Sequence, residues 1–451
     1  MHMQNPLLRI RPLFRRWVAW CWATVLLPIG LPAAEAPLLA TPASPTVPPP
    51  LSLAYAPTSG KAGFAAGEVI LRCGEPLPDS FLLHWGDAEG KLPGHAPFAP
   101  VACTGETTRC RIADCIALPS GATRLLAWSV KGGQTSESAA EAPVPASARR
   151  EWEKTGTAYE MQVVSDTHVR TDRNHLFTRH FQKALQDIAA VSPDSIGVFV
   201  VGDLTDNGTD AEYETYLSMV RAFDSRLPPF YVVAGNHDLT APLSRFLQRT
   251  GNDSQTAYFD RWVGGLHCIF LSNDRGGLRV TLGEAQLAWL ADRLAEGDDP
   301  SKPVFLFLHQ ALKSTVAGSY PGQNWDGVND ADALRAVLTG HPNVLFFTGH
   351  SHWELNSPNT MFSGAADFPV CFNTASVGYT WNDGSQKTGI GVNGSEGYYL
   401  EAKEDGLLLV RGRDFENGLW LPSAQFIVEP AGCRQRGGEL AFRLRSRRPL
   451  R

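Results

Sequence analysis

The sequence predicts an α/β layered domain preceded by a small β-sandwich, and three observations support this. From Tyr159 onward, apolar strands alternate with helices that are apolar on one face. Between residues 55 and 148 only short apolar runs occur, separated by Gly, Pro and Asp turns. The 451 residues, 43% hydrophobic and 19% charged, suffice for two or three domains with proper cores. The formal net charge of −6 gives no general attraction to nucleic acid.

The chain opens with Arg9, Arg11, Arg15 and Arg16, followed by an apolar run from Trp17 to Gly30 and small residues Ala33, Ala34 and Ala36. That order is expected of an export signal spanning residues 1–36, cleaved near 33–36. The alternative is a membrane anchor, but the run is short for a span of roughly 20 residues, and Pro28 interrupts it. No stable membrane span is therefore expected in the mature chain. Residues 37–54, with Pro48-Pro49-Pro50, read as a semi-extended linker. Val69-Ile70-Leu71, Phe81-Leu82-Leu83 and Leu125-Leu126-Ala127-Trp128 supply strands of the 55–148 sandwich. Cys73, Cys103, Cys110 and Cys115 cluster there and read as one or two disulfides in an oxidising compartment, connectivity open. Cys268 and Cys371 lie in apolar runs and are expected as buried thiols.

The second domain, 155–430, begins with a strand at Tyr159–Val164. Phe177, Phe181, Leu185 and Ile188 then mark one face of a helix. Val198–Val201 is a buried strand, and Thr209 with Glu212 forms a capping box that opens the next helix. Phe230–Val233, His267–Leu271, Val304–Leu308 and Val344–Phe347 read as further strands, with helices around 284–295 and 330–338. Turns at Glu404-Asp405-Gly406 and Glu416-Asn417-Gly418 punctuate three closing strands. Residues 431–451 hold seven Arg against one Glu and read as a frayed basic tail, with contact to an anionic surface as the alternative.

Five polar segments each begin where an apolar strand stops: Asp166-Thr167-His168, Gly202-Asp203-Leu204-Thr205-Asp206-Asn207, Gly235-Asn236-His237-Asp238, His309 and Gly349-His350-Ser351-His352. Ligands of open α/β folds gather beyond the carboxyl ends of strands. Carboxylates combined with imidazoles, and no cysteine, suit Zn, Fe or Mn. Two such ions about 3.5–4 Å apart share a carboxylate and clamp the attacking and leaving oxygens of a displacement. Glycines before Asp203, Asn236 and His350 let the backbone come close. Alone, Asp166 and His168 read as a surface turn and His309 as a core histidine; the five-part pattern makes them ligands.

Taken in order, these segments resemble the calcineurin-like metallophosphoesterase superfamily: D-x-H, G-D-x-x-D, G-N-H-[DE], H and G-H-x-H. The resemblance covers roughly residues 159–356 and fills every motif position. It implies a four-layer α/β/β/α sandwich, with a fibronectin- or Ig-like module ahead of it. It implies that Asp166, His168 and His352 bind a first metal, that Asn236, His309 and His350 bind a second, and that Asp203 bridges them. His237 is then the residue that contacts the phosphate and assists the leaving group, with Asp238 orienting it. His168 and Asp206 stand where purple acid phosphatases carry Gly and Tyr, so the run looks more like the class III cyclic-nucleotide phosphodiesterase branch. The implied activity is hydrolysis of a small-molecule phosphate ester, more readily a diester, by a metal-bridging hydroxide. No organic cofactor is implied. A phosphomonoesterase and a non-catalytic envelope-binding protein on the same fold are the alternatives, and the N-terminal module's partner stays open.

Outside the motifs, Arg170 reads either as a phosphate contact or as a surface arginine. His175 and His180 read as solvated on a polar helix face. His267 has no motif role. Trp325, Trp353 and Trp381 read as packing residues, with stacking on an aromatic ester as the alternative.

Overall fold

The computed structural model describes residues 46–113, 115–152, 156–223, 226–296, 302–363 and 367–429, and the backbone of Phe442–Leu444. All belong to one compact unit, Thr46–Arg451. The expected signal, the first part of the linker and most of the basic tail lie outside the described residues. Among those described, no helix is long and apolar enough to cross a membrane.

The N-terminal part forms two antiparallel sheets. One runs Ser52–Pro57, Gly67–Arg72, Thr107–Ile112 and Phe442–Leu444; the other Val101–Ala102, Ser80–Gly86, Arg124–Lys131 and Gln134–Thr135, with Ala140–Pro143 also paired to Arg124–Lys131. Alternation decides which side chains go inside: Val69 and Leu71 are fully buried between half-buried or exposed neighbours. Trp85 anchors the interior, edge-on to Tyr55 at 5.8 Å and to Phe98 at 5.6 Å. The first strand starts at Ser52, inside the stretch read as linker. A second difference concerns the tail, because Phe442–Leu444 pairs antiparallel with Thr107–Ile112 and closes the first sheet. Arginine density hid a three-residue edge strand that its neighbour's free hydrogen-bonding groups recruit.

The cysteines also differ from expectation. Cys115 is disulfide-bonded, while Cys73, Cys103 and Cys110 are thiols, the first two 4.0 Å apart at Sγ. Cys268 and Cys371 are buried thiols, and burial pushes both up beyond the usual thiol range.

The larger part holds two six-stranded sheets. The first is ordered Phe230–Val233, Val198–Val201, Thr157–Val164, Glu396–Lys403, Leu408–Asp414, Leu419–Val428. The second is ordered Phe259–Val263, Leu266–Leu271, Val304–Leu308, Val344–Thr348, Val370–Asn373, Met361–Phe362. Val198–Val201, Val304–Leu308 and Val344–Thr348 lie between parallel neighbours and are buried along their whole length, which is why they read as unbroken apolar runs rather than alternating ones.

Alternation still divides the two faces. Phe199 turns inward and meets Phe307 of the other sheet at 5.0 Å, and Phe347 and Phe372 continue the stack toward Tyr398. Val198 and Val200 turn outward under Phe181, Leu185, Tyr213 and Met219 of helices Leu176–Val191 and Asp210–Arg221. On the other side Leu306 and Leu308 turn outward under Leu290 and Leu334 of helices Gly283–Glu296 and Ala331–Leu338. The result is the helix–sheet–sheet–helix layering expected. The Thr209–Glu212 capping box forms as predicted.

Leu419–Val428 ends its sheet, and the N-terminal part covers it. Ala117 N donates to Gln425 O at 2.7 Å, and Ile427 N to Cys115 O at 2.8 Å. Ala96 N and Gly94 O bond the backbone of Trp420. The sandwich therefore seals an edge strand of the first six-stranded sheet.

Candidate metal centre

Each polar segment leaves the carboxyl end of one of the parallel strands, so all five reach the same rim. Sharp backbone turns bring their side chains inward: Asp166, His168, Asp203, His350 and His352 all adopt left-handed φ, between 44° and 66°. Such conformations cost non-glycine residues free energy and cluster at functional sites. Glycine makes the close approach possible at Gly235, where an added Cβ would lie 2.1 Å from Asp203 Oδ1. It does so again at Gly202, where φ is +87° and an added Cβ would strike His309. These glycines make room for neighbouring ligand side chains, a more specific need than closeness to an ion.

Three groups of donor atoms converge: Asp166, His168 and His352; Asp203, His309 and His350; and His168, Asp203 and His237. Asp203 belongs to two of them. His352 Nε2 lies 2.9 Å from Asp166 Oδ1, and His309 Nε2 lies 3.1 Å from Asp203 Oδ2. His168 and His352 face each other through their Nε2 atoms at 3.2 Å.

Outer partners turn the rings this way. His309 Nδ1 is bonded to Val201 O at 2.7 Å, His352 Nδ1 to Tyr379 O at 3.0 Å and His237 Nδ1 to Asp206 O at 2.7 Å. Carbonyls accept only, so Nδ1 of each ring carries a proton and Nε2 is the atom turned toward the centre. Asn236 Oδ1 is buried without a hydrogen-bond partner among the described residues, and Asp166 Oδ1 and His309 Nε2 meet only other candidate ligands. Buried polar atoms are ordinarily satisfied. Convergent oxygen and imidazole donors fit hard or borderline cations; six of the seven residues expected as ligands fall in these groups, and Asn236 stands beside His237 in the third motif loop.

The buried carboxylates and imidazoles shift one another's protonation. Burial alone would lower His168 and His309, but carboxylates overcome it. Asp166 and Asp206 push His168 up to about 10, and Asp203 and Asp166 push His309 up to about 9. Burial would raise Asp166 and Asp203, yet the facing histidines hold both below the usual carboxylate range. Burial and the charge of His309 depress His350 to about 3. His168 and His309 thus hold protons at pH 7 that a cation must displace. Metal uptake is expected to release about two protons per chain near neutrality, and to tighten as pH rises toward 9–10, where both rings lose their protons unaided. Calorimetry in two buffers of different ionisation enthalpy counts them; uptake without proton release contradicts the assignment.

Several roles differ from the sequence reading. Asp238 does not meet the His237 ring. Its carboxylate takes N–H bonds from Leu204, Thr205 and Gly235 and the hydroxyl of Tyr213, tying the second and third motif loops together. Burial and the nearby Asp203 push it up to about 6. The His237 ring is oriented by the carbonyl of Asp206, whose carboxylate also lies 3.3 Å from His168 Nδ1. Sequence reasoning took Asp206 only as a subfamily marker; its place in G-D-x-x-D was the available signal. His180 is buried rather than solvated, bonded to Gly378 O at 2.7 Å beside the carbonyl that holds His352. Trp353 is fully buried, whereas half-buried Trp325 stands edge-on to His350 at 5.3 Å. His267 is buried against Asp260, away from the motifs. A largely apolar cavity of about 250 Å³ opens at the other end of the strands, near Tyr159, Val344 and Lys403, and no candidate ligand lines it.

Comparison with known proteins agrees with this geometry. Residues 162–354 match the calcineurin-like phosphoesterase family. A probable glycerophosphodiester phosphodiesterase of Arcobacter nitrofigilis is 31% identical over 32% of this chain and 55% of its own length. The serine/threonine-protein phosphatase CPPED1 of Danio rerio is 30% identical over 29% of this chain and 45% of its own. A probable cyclic nucleotide phosphodiesterase of Psychrobacter sp. (strain PRwf-1) is 25% identical over 41% and 58%. The chain thus spans about half the length of the curated relatives it matches. The motif order, the layered sheets and the converging ligands have one common explanation: residues 162–354 form a calcineurin-like metallophosphoesterase domain.

Proposed function

We propose that this chain is an exported phosphoric ester hydrolase that needs two metal ions, Mn, Fe or Zn, and prefers diesters. The observation that carries the reading is the convergence of two ligand groups, with Asp203 placed to serve both sides. Bound there, two cations supply Lewis acidity, lowering the pKa of a coordinated water and offsetting charge on phosphoryl oxygens. The chain's own residues do the rest. Asp166, His168 and His352 would hold one ion, Asn236, His309 and His350 the other, and Asp203 both. His237, its Nδ1 fixed by Asp206 O, presents Nε2 to the departing oxygen and supplies its proton. Left-handed backbone at five of the ligands keeps the set preorganised.

Two of the three relatives are named as phosphodiesterases, which supports the diester preference. The relative named as a phosphatase supports monoester hydrolysis as the second reading. Purified chain from residue 37, loaded with Mn, Fe or Zn, should turn over bis(p-nitrophenyl) phosphate faster than p-nitrophenyl phosphate. The reverse order makes it a phosphomonoesterase. Metal uptake with no ester cleaved across pH 5–9 removes the hydrolase reading. Export rests on the arginines, the apolar run and the small residues that open the chain. Mass spectrometry of the exported protein should find its N-terminus between residues 34 and 37.

A further inference from the structure

We infer that Arg170 anchors the substrate, donating hydrogen bonds to a non-bridging oxygen of the phosphoryl group on the side of the centre where His237 stands. This rests on the phosphoesterase reading above. Arg170 lies two residues beyond His168, and its Nη2 is 2.8 Å from Asp206 Oδ2. The other oxygen of that carboxylate approaches His168 Nδ1, and the carbonyl of the same residue holds His237 Nδ1. Asp206 therefore positions a metal ligand, the proton donor and the arginine together.

The arginine is fixed from other directions too. Its backbone N–H donates to the hydroxyl of buried Thr178 at 3.1 Å, and that hydroxyl donates back to its carbonyl at 3.3 Å. Its guanidinium lies over the Phe177 ring at 5.3 Å. Phe177 stacks on Tyr379, which packs against His352 at 4.4 Å. An arginine serving only solubility turns its head to water, whereas this one lies against the aromatic wall of the metal centre.

Its hydrogen-bonding capacity is largely unused. Nε is buried without a partner among the described residues, and 42% of the side chain is exposed. A guanidinium carries five donors in a planar fork that matches phosphate oxygens. Pairing with Asp206 cancels most of its long-range field, so what it offers is directional contact rather than a general attraction for anions. Arg173 makes the contrast: it is exposed, three residues away, and donates to Ser218 on the neighbouring helix.

The test compares Arg170→Met, Arg170→Lys and Arg173→Met in metal-loaded protein. Inorganic phosphate binding is measured by titration calorimetry, and KM and kcat with bis(p-nitrophenyl) phosphate. Arg170→Met should weaken phosphate binding and raise KM about tenfold, the scale of one lost hydrogen bond to a charged group, with a smaller fall in kcat. Arg170→Lys should recover part of that loss, since it keeps the charge and loses the fork. Arg173→Met should stay within about twofold of wild type, because its charge is exposed and screened. Unchanged phosphate affinity in Arg170→Met overturns the inference. So does equal weakening in Arg173→Met, or a loss confined to kcat with lowered metal content, which would make Arg170 a tether for Asp206. Phosphate binding needs no turnover, so the two readings fail separately. Wild type that binds phosphate through Arg170 but cleaves no ester removes the hydrolase reading alone; wild type that binds no phosphate removes the anchor.

Discussion

Asp203→Ala is expected to reduce ester turnover by roughly 10³-fold or more, beyond the 10–100-fold usual for outer-shell changes, and to lower metal content by at least one ion per chain. Asp203 Oδ2 stands 3.1 Å from His309 Nε2 and 3.9 Å from His168 Nε2, so one carboxylate faces both ligand groups. Its Oδ1 meanwhile accepts the backbone N–H of His237 at 2.8 Å. Truncation removes the shared ligand and frees the loop that carries the proton donor. It also leaves His309 buried with its principal counter-charge gone, a change that costs about 3–5 kcal/mol when a buried pair is broken. Asp203→Asn separates these effects, since it keeps an acceptor for His237 N while removing the charge. It should lose metal like Asp203→Ala and stay closer to wild type in urea unfolding of the metal-free chain. Metal content by mass spectrometry beside turnover decides the matter. Full metal occupancy with turnover within tenfold of wild type would remove Asp203 from the bridging position.

The ligands were legible in the sequence because strand physics marks where they begin. Strands buried on both faces, such as Val198–Val201 and Val304–Leu308, are apolar along their whole length, so the first polar residue after Val201 or Leu308 marks the rim. Side-chain targets within the rim were not legible. Asp238 follows His237 in sequence, yet its carboxylate turns toward three backbone N–H groups and Tyr213, which satisfy it better than one imidazole would. Asp206 reaches the His237 ring through its carbonyl, and no residue type encodes a carbonyl contact. His180 looked solvated because its helix neighbours Arg179 and Lys183 are polar, but its partners Gly378 and Glu416 come from far along the chain. The strand Phe442–Leu444 was hidden for the same reason, since what makes it a strand is the open edge of Thr107–Ile112. Periodicity reports how an element meets its own layer, and contacts between distant segments leave no such trace.

His237→Ala should retain both metals and lose activity in proportion to how badly the leaving group needs a proton. Its donor atom falls within reach of His168 and Asp203, so the geometry alone admits it as a ligand as well as a proton donor. The two roles predict opposite results. As a ligand, its loss lowers metal content and slows all esters alike. As a proton donor, its loss leaves metal content intact and slows an alkyl diester by roughly 10³-fold, within the range for general acids. A p-nitrophenyl diester, whose leaving group departs without a proton, should slow by only about tenfold. The fixed Nδ1–Asp206 bond favours the second outcome, because the ring is already turned by an acceptor outside the centre. Asp238→Asn supplies the contrast. Its partners are backbone N–H groups and Tyr213, so the substitution sets an amide N–H₂ against donors and should loosen both motif loops. The expected result is a lower Tm with an unchanged dependence on leaving-group pKa. If Asp238→Asn instead steepened that dependence as His237→Ala does, the carboxylate would be acting through the imidazole after all, and Asp206 would lose the orienting role its carbonyl now holds.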